Sequence, residues 1–376
     1  MFGPTRFSNR SRIERLWRKD LRWYEWPLWM ALVPPAILYS SVMTARSALR
    51  RLPRIRRRAC SLKVISVGNL TVGGNGKTPF TLYLARTLAA RGLKVGIVSR
   101  GYGGSKGGGH AHLVSDGREL KLGPDEAGDE PAMMARCFDG PVAVAARRID
   151  GVRLLEQFGR LDAVILDDAF QQLRLEPDLD LVVVNLERGL GNGWALPAGP
   201  MRERLGAVRR ADAVVMLSSG ESAQSGLTPA QMTALGRQNT LAGTIRPRSL
   251  VCIDQGAWRE APLYTLNGHR VLAVSGIADP RPFYEMLRAA EAELTGVLEY
   301  PDHYSYTSAD WQRIARSARN ADMVVTTEKD LIKLERFPFV RDFLYALRLE
   351  VVMGKDESRL LEMIIGDAQA PLAVHA

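Results

Sequence analysis

Nine residues, Thr71-Val72-Gly73-Gly74-Asn75-Gly76-Lys77-Thr78-Pro79, follow the apolar run Lys63–Val67 and precede a long amphipathic stretch. Glycines let successive backbone N–H groups converge on an anion. A lysine after them reaches the outer phosphates of a nucleotide, and a hydroxyl beside it can take Mg²⁺. Gly73, Gly74, Asn75 and Gly76 thus read as a phosphate cradle, Lys77 as its cation and Thr78 as a metal ligand. The strict GxxxxGK[ST] pattern wants Gly where Thr71 stands, but Gly73 and Gly74 keep the loop permissive. Pro79 falls in the first helical turn, where its missing N–H costs nothing. A glycine-rich turn with a surface lysine is the plainer alternative, and the strand–loop–helix context argues against it.

A Mg²⁺-nucleotide site also needs carboxylates across the sheet. LDAVILDDAF (161–170) ends an apolar strand with Asp167 and Asp168, the Walker B arrangement. Adjacent acids on a continuing strand point to opposite sides, so one of the two faces the metal. AGDEPAMMARCF places Asp129 and Glu130 before an apolar helical run, and LPAGPMRERL places Arg202 and Glu203 in a Pro/Gly-stiffened loop. On spacing alone, either pair of positions also suits a solvated helix start, since acids favour first turns. EYPDHYSYT sets His303 at a strand-to-helix junction, where a lone histidine is as readily structural as functional. VVTTEKDLIKL (324–334) is a near miss to the guanine-reading NKxD motif, with Lys329 and Asp330 adjacent and no Asn before them, so ATP is favoured over GTP.

The elements that must position these groups are legible as apolar runs at Lys63–Val67, Val95–Ser99, Pro141–Ala145, Ala163–Leu166, Leu181–Asn185 and Ala213–Leu217. Helical patterns at Thr78–Arg91 and Ile149–Phe158 separate several of them. That is a P-loop NTPase-like, doubly wound parallel sheet. GYGGSKGGGH (101–110) reads as a mobile loop or lid, and periodicity weakens over 220–262. A second alternation follows: strands at Val271–Ser275, Gly296–Tyr300, Met323–Thr326 and Phe343–Val351, with helices from about Pro282 and Ser308. The chain thus divides into an N-terminal arm (1–60), a P-loop α/β domain (61–243) and a smaller α/β domain (244–376).

Of 376 residues, 46% are hydrophobic and 24% charged, enough for two ordinary cores. Three widely spaced cysteines, Cys60, Cys137 and Cys252, suit neither a disulfide framework nor a structural zinc site and point to a reducing compartment. The net charge of +10 is concentrated in residues 1–60, which hold fourteen Lys and Arg against three acids. Inside that arm the twenty residues between Glu25 and Arg46, WPLWMALVPPAILYSSVMTA, carry no charge. Arg15, Arg18, Lys19 and Arg22 precede them; Arg46, Arg50, Arg51, Arg54, Arg56, Arg57 and Arg58 follow. Trp23, Tyr24, Trp26, Trp29 and Tyr39 sit as an interfacial aromatic belt does. Pro34 and Pro35 fall at the centre, where a helix would kink. The pattern reads as an in-plane, broken amphipathic anchor on an anionic leaflet. A single span and a helical hairpin packed on the body are the rivals. A segregated apolar block argues against nucleic acid as the partner, and no small-residue cleavage site marks a signal peptide.

Several of these segments, in order, resemble the tetraacyldisaccharide 4′-kinases, which phosphorylate the lipid A precursor. They are LYSSV, GNLTVGGNGKTP, SRGYGG (99–104), GDEP (128–131), DDAFQQLRLEPDLDLVVVN (167–185), LPAGPMRE (196–203), GIADPRPFYEML (276–287), DHYSYT (302–307) and TTEKDLIKL (326–334). The resemblance covers about residues 25 to 350. It implies that Lys77 and Thr78 bind ATP and Mg²⁺, and that Asp129 is the base for the sugar hydroxyl with His303 as its partner across the domain cleft. It implies that Glu130 helps hold the metal, that Asp167 and Asp168 are the family's paired acids, and that Glu203 is the acid of its LPAGPLRE motif. Arg100 of SRGYGG would stabilise charge on the transferred group. The chain departs from the family's DDGFQH at Ala169 and Gln172, from its second His at Tyr304, and from its frequent Asp at Asn185. The partners implied are a lipid A disaccharide precursor and the anionic leaflet on the cytoplasmic face of the bacterial inner membrane, held peripherally or monotopically, with no obligate protein partner. A membrane-tethered P-loop ATPase or switch is the alternative from another class; ATPase activity indifferent to lipid would mark it. A lipid-binding module with a vestigial P-loop is a third, marked by failure to bind ATP.

Overall fold

The computed structural model describes residues 15–17, 21–49, 62–159, 161–172, 175–220, 224–337 and 343–366. Arg18, Lys19, Arg50, Arg51, Arg54, Arg56, Arg57, Arg58 and Cys60 lie outside the described residues. The fold is α/β, and the chain forms two compact units. One gathers the described parts of Arg10–Val98, Leu155–Ile245 and Val351–Ala376; the other joins Ser99–Leu154 to Arg246–Glu350. This grouping differs from the continuous division at residue 243. Ser99–Leu154 belongs with the later segment because the helix Asp129–Cys137 packs on the helix Glu328–Leu334, with Cys137 Sγ 3.3 Å from Glu328 Oε1.

In the unit that carries the glycine loop, the strand Lys63–Gly68 pairs in parallel with Ala163–Asp167 on one side and Leu179–Asn185 on the other. Val95–Ser99 lies beyond Ala163–Asp167, and Ala213–Ser218 beyond Leu179–Asn185, all parallel. The chain first leaves Lys63–Gly68 towards one edge and later fills the other. The end of that strand is therefore a topological switch point, where open α/β sheets bind ligands. Val64 to Gly68 and Ala163 to Asp167 are buried without alternation, as befits strands covered on both faces.

The arm is one helix, Trp26–Leu49, 24 residues long, with Pro34 and Pro35 inside it. The expected break is absent. Each proline forfeits one intrahelical bond, but one stripe of the helix docks continuously on its own unit. Ala36 and Ser40 are buried there, Trp29 Nε1 donates to the Ala198 carbonyl at 2.9 Å, and Arg204 Nε donates to Ser40 Oγ at 2.6 Å. Met30, Ile37, Leu38 and Val42 remain exposed. Among the described residues this is the one helix long and apolar enough to cross a membrane.

The other unit holds the parallel strands Glu293–Glu299, Arg270–Ser275, Met323–Thr327 and Leu344–Val352, paired in that order. Its period-2 pattern serves two cores. Leu272 and Val274 face Trp311 and Ile314, while Val271 and Ala273 face Phe283, Tyr284 and Leu287. The Pro141–Val144 strand pairs antiparallel with His112–Asp116, a strand the apolar runs do not announce. Thr240–Asp254 and Ala257–Pro262 form an antiparallel hairpin in the stretch of weak periodicity. Its second strand is largely exposed, so no hydrophobic pattern marks it. The glycine-rich segment is laid against 125–128. Ser105 N donates to the Asp125 carbonyl and Lys106 N to that of Glu126, both at 3.0 Å, and a Cβ on Gly104 would lie 2.4 Å from the Glu126 oxygen.

Candidate active site

The helix after the glycine loop begins at Lys77, and Gly76 enters it at φ 80°, a left-handed conformation that favours glycine. Inside the loop Asn75 is buried. Its Nδ2 donates to the carbonyls of Gly73 (2.9 Å) and Thr71 (3.2 Å), and its Oδ1 accepts from Thr71 Oγ1 at 3.0 Å. Thr71 therefore braces the loop where the strict pattern would have glycine. Arg188, reaching back from beyond the strand Leu179–Asn185, closes the loop from outside. Its Nη1 donates to the Gly74 carbonyl at 3.3 Å, and a Cβ on Gly73 would meet its guanidinium at 2.2 Å.

Lys77 Nζ donates to Asn69 Oδ1 at 3.1 Å and to Asp168 Oδ1 at 2.8 Å. Arg202 Nη1 donates to both Asp168 oxygens, at 2.6 and 2.8 Å. Burial alone would raise the Asp168 carboxyl, but the adjacent Lys77 and Arg202 cations hold it well below the usual carboxylate range. Asp168 sits at φ 51°, an uncommon conformation for a residue with a side chain, and this turns it out of the strand towards Lys77. Asp167 is 1% exposed and accepts from Thr81 Oγ1 at 3.2 Å. The two acids thus face different surroundings, and Asp168 is the one beside the loop's cation.

Glu203 does not join that cluster. It is 4% exposed and forms a two-pronged pair with Arg210, at 2.8 and 3.0 Å. The Arg210 guanidinium also lies 4.4 Å from the Phe170 ring centroid and donates to Ser47 Oγ of the arm helix. Arg210→Ala would leave a buried carboxylate without its cation, so a loss of ~3–5 kcal/mol is expected. Urea unfolding checks this; an Arg210→Ala protein as stable as wild type would assign Glu203 some other partner. Glu203→Gln combined with Arg210→Met should lose much less than Arg210→Ala alone.

In the other unit, Asp129 opens its helix, with Gly128 before it at φ 92°. His303 stands at φ 58° in the turn between the strand Glu293–Glu299 and the helix Ser308–Ser317. That helix is fixed by a reciprocal cap in which Thr307 N donates to Asp310 Oδ2 at 2.9 Å and Asp310 N donates to Thr307 Oγ1 at 3.3 Å. The turn brings His303 Nδ1 to 3.4 Å from Asp129 Oδ2. Both residues belong to one unit, not to two domains across a cleft. Tyr102 of SRGYGG packs edge-on against the His303 ring at 5.8 Å, while Arg100 is exposed.

Two lysines complete this cluster. Lys333 Nζ lies 3.2 Å from Asp129 Oδ2 and 3.3 Å from Asp330 Oδ1, and donates to the Tyr304 carbonyl at 3.0 Å. Lys329 Nζ donates to Asp302 Oδ1 at 2.8 Å and lies 3.2 Å from His303 Nε2 and 3.9 Å from Glu130 Oε1. Burial works to raise the Asp129 carboxyl, but His303, Lys333 and Lys329 together set it below its ordinary value. Burial works to lower the Lys329 ammonium, and Asp302 and Glu130 outweigh it, so Lys329 stays charged. Asp330 is fully buried and accepts from Gly276 N–H, Tyr306 O–H and Thr327 Oγ1, which anchors the helix bearing both lysines. Arg202, Lys329 and Lys333 lie in segments that the sequence marks, but nothing local in those segments assigns the three a role. The i, i+4 spacing of the two lysines, which puts them on one helix face, was the available signal.

Residues 28–368 match the family model described as tetraacyldisaccharide-1-P 4′-kinase. The chain is 39% identical over 345 residues to the tetraacyldisaccharide 4′-kinase of Syntrophus aciditrophicus, covering 86% of this chain and 90% of that one. It is 37% identical over 349 residues to that of Brucella suis, covering 91% and 94%. The solved structure of LpxK from Aquifex aeolicus in complex with ATP superposes with a TM-score of 0.73 at 30% identity, covering 90% of this chain and 99% of that one. The chain belongs to the tetraacyldisaccharide 4′-kinase family.

Proposed function

We propose that this enzyme transfers the γ-phosphoryl group of ATP to the 4′-hydroxyl of a tetraacyl disaccharide 1-phosphate, the lipid A precursor. The observation that carries the reading is the braced glycine loop ending in Lys77, with Asp168 2.8 Å from its ammonium at the switch point of the sheet. The loop's N–H groups and the start of the Lys77–Ala90 helix suit the ATP phosphates. Lys77 exchanges Asp168 for the β/γ-phosphates when the nucleotide binds. Thr78 and Asp168 offer the hard oxygen donors that Mg²⁺ prefers, and Arg202 remains to orient Asp168. The ion, when bound, neutralises charge on the β- and γ-oxygens.

Asp129 accepts the proton of the acceptor hydroxyl as that oxygen bonds to the γ-phosphorus. The bond from the γ-phosphorus to the bridging oxygen breaks, and ADP leaves with that electron pair. Lys77 stabilises the charge that accumulates on the leaving phosphate. Incubating the full-length protein with labelled ATP and a tetraacyl disaccharide 1-phosphate tests the whole reading. A new, labelled bisphosphate supports it. ATP hydrolysis indifferent to the lipid would replace it with the tethered ATPase.

The arm supports a site of action on the cytoplasmic face of the inner membrane. Its docked stripe leaves Met30, Ile37, Leu38 and Val42 outward, and Trp23, Tyr24 and Trp26 are exposed as well. Replacing Leu38 and Val42 by Glu keeps the docked stripe intact. Co-sedimentation with anionic vesicles should then fall ~10-fold or more, given a few kcal/mol for burying two such side chains in the interface. Urea stability and ATP binding should not change. Undiminished vesicle binding would place the membrane contact elsewhere.

A further inference from the structure

We propose that Lys329 is a positioning residue for phosphoryl transfer, one that fixes His303 as the neutral Nδ1–H tautomer and thereby makes it a hydrogen-bond donor to Asp129. An ammonium group has only hydrogens to offer. Lys329 Nζ lies 3.2 Å from His303 Nε2, so that nitrogen must be the acceptor. A ring whose Nε2 accepts carries its hydrogen on Nδ1. Nδ1 in turn lies 3.4 Å from a carboxylate, Asp129 Oδ2, which can only accept when ionised. An imidazolium would turn a second N–H towards the Lys329 ammonium. The carboxylate oxygen on that side of the ring, Asp302 Oδ2, is 3.9 Å away, beyond hydrogen-bond reach, and Lys329 already binds the other oxygen of that carboxylate at 2.8 Å.

The geometry of the helix makes Lys329 a suitable guide. Its side chain is 15% exposed and is shared among Asp302, His303 and Glu130, which restrains the ammonium from several sides. One turn further on, Lys333 reaches the same Asp129 oxygen, Oδ2, that His303 reaches. Both donors therefore converge on Oδ2, and the hydroxyl proton of the acceptor is assigned to Oδ1. His303 in this arrangement does not relay the proton. It orients the carboxylate that takes it. The inference rests on the reading of Asp129 as the base, and its test separates the two.

Full-length protein labelled with ¹⁵N-histidine gives long-range ¹H–¹⁵N correlations that distinguish a protonated from an unprotonated ring nitrogen. The chain has five histidines, and the His303 signals are those lost in His303→Gln. The wild-type ring is expected to show a protonated Nδ1 and a bare Nε2. Lys329→Met should let a hydrogen appear on Nε2 while Asp129 still holds the Nδ1–H, and lower kcat by ~10-fold or more. KM for ATP should stay within about twofold, since Lys329 is assigned no contact with the nucleotide. Lys329→Arg, also a donor without acceptor capacity, should preserve the tautomer and much of kcat. A wild-type ring protonated on Nε2, or a Lys329→Met ring with Nε2 still bare, overturns the proposal. Normal turnover by Asp129→Asn would overturn the base reading alone and leave the tautomer result standing.

Discussion

Lys77→Ala is expected to remove at least ~100-fold of the phosphoryl-transfer rate, the scale for deleting one well-placed stabiliser of developing charge. The loss should fall on the chemical step as well as on nucleotide binding, because the ammonium is proposed to serve the β/γ-phosphates in both states. The fold should survive. Asp168 keeps its two contacts to Arg202 Nη1, and Asn75 continues to brace the loop without help from Lys77. Single-turnover transfer from labelled ATP, with urea unfolding on the same sample, separates the two effects. A stable Lys77→Ala protein with wild-type turnover would remove the glycine loop from the reaction.

Asp129→Ala and His303→Ala are each expected to lower kcat by ~100-fold or more, the scale of positioned acid–base groups. Their effect on ATP affinity should be slight, since neither is assigned to the phosphates. The double substitution should lose far less than the product of the single losses. Residues that act as a unit are disabled by the first change, and the second then finds little to remove. The 3.4 Å contact between them is the physical basis for that expectation. Steady-state kinetics of the three variants decides the matter. Strictly multiplicative losses would mean that the two side chains act separately.

Local chemistry was legible in the sequence where it depends on a few adjacent residues. The strands that begin at 63, 95, 163, 213, 270 and 323 follow, within a residue, from unbroken apolar runs, and the helix from Lys77 begins one residue before the Thr78 that the pattern marks. Partnerships made at long range were not legible. Arg202 meets Asp168 across 34 positions, and Lys333 meets Asp129 across more than two hundred, so neither spacing nor periodicity relates them. Asp129 and His303 were linked through family resemblance alone. The antiparallel pairing of Pro141–Val144 was missed because a buried strand's apolar run carries no record of its partner's direction. The arm reads as broken in sequence because Pro34 and Pro35 are local helix breakers, yet it is one helix. The Trp29, Ser40 and Ser47 contacts that hold the helix in register belong to tertiary packing and outweigh that preference.

The interrupted make-up of the unit bearing Lys77 sets an order of events during synthesis. Its helix Asp356–Ile365 leaves the ribosome after the unit's other described helices and strands. Yet that helix supplies Glu357 to Tyr83 and Arg91, Asp356 to the Ala242 N–H, and the Ile364 carbonyl to Lys63 on the central strand. The apolar helix Trp26–Leu49, by contrast, emerges about 300 residues earlier, which is roughly 15–60 s at ~5–20 residues per second. For that interval its outward face is available to a bilayer while the unit bearing Lys77 still lacks the helix Asp356–Ile365. A nascent chain whose arm met a membrane in this window, as proposed above, would complete the unit bearing Lys77 there, with its exposed apolar side chains withdrawn from other unfinished chains.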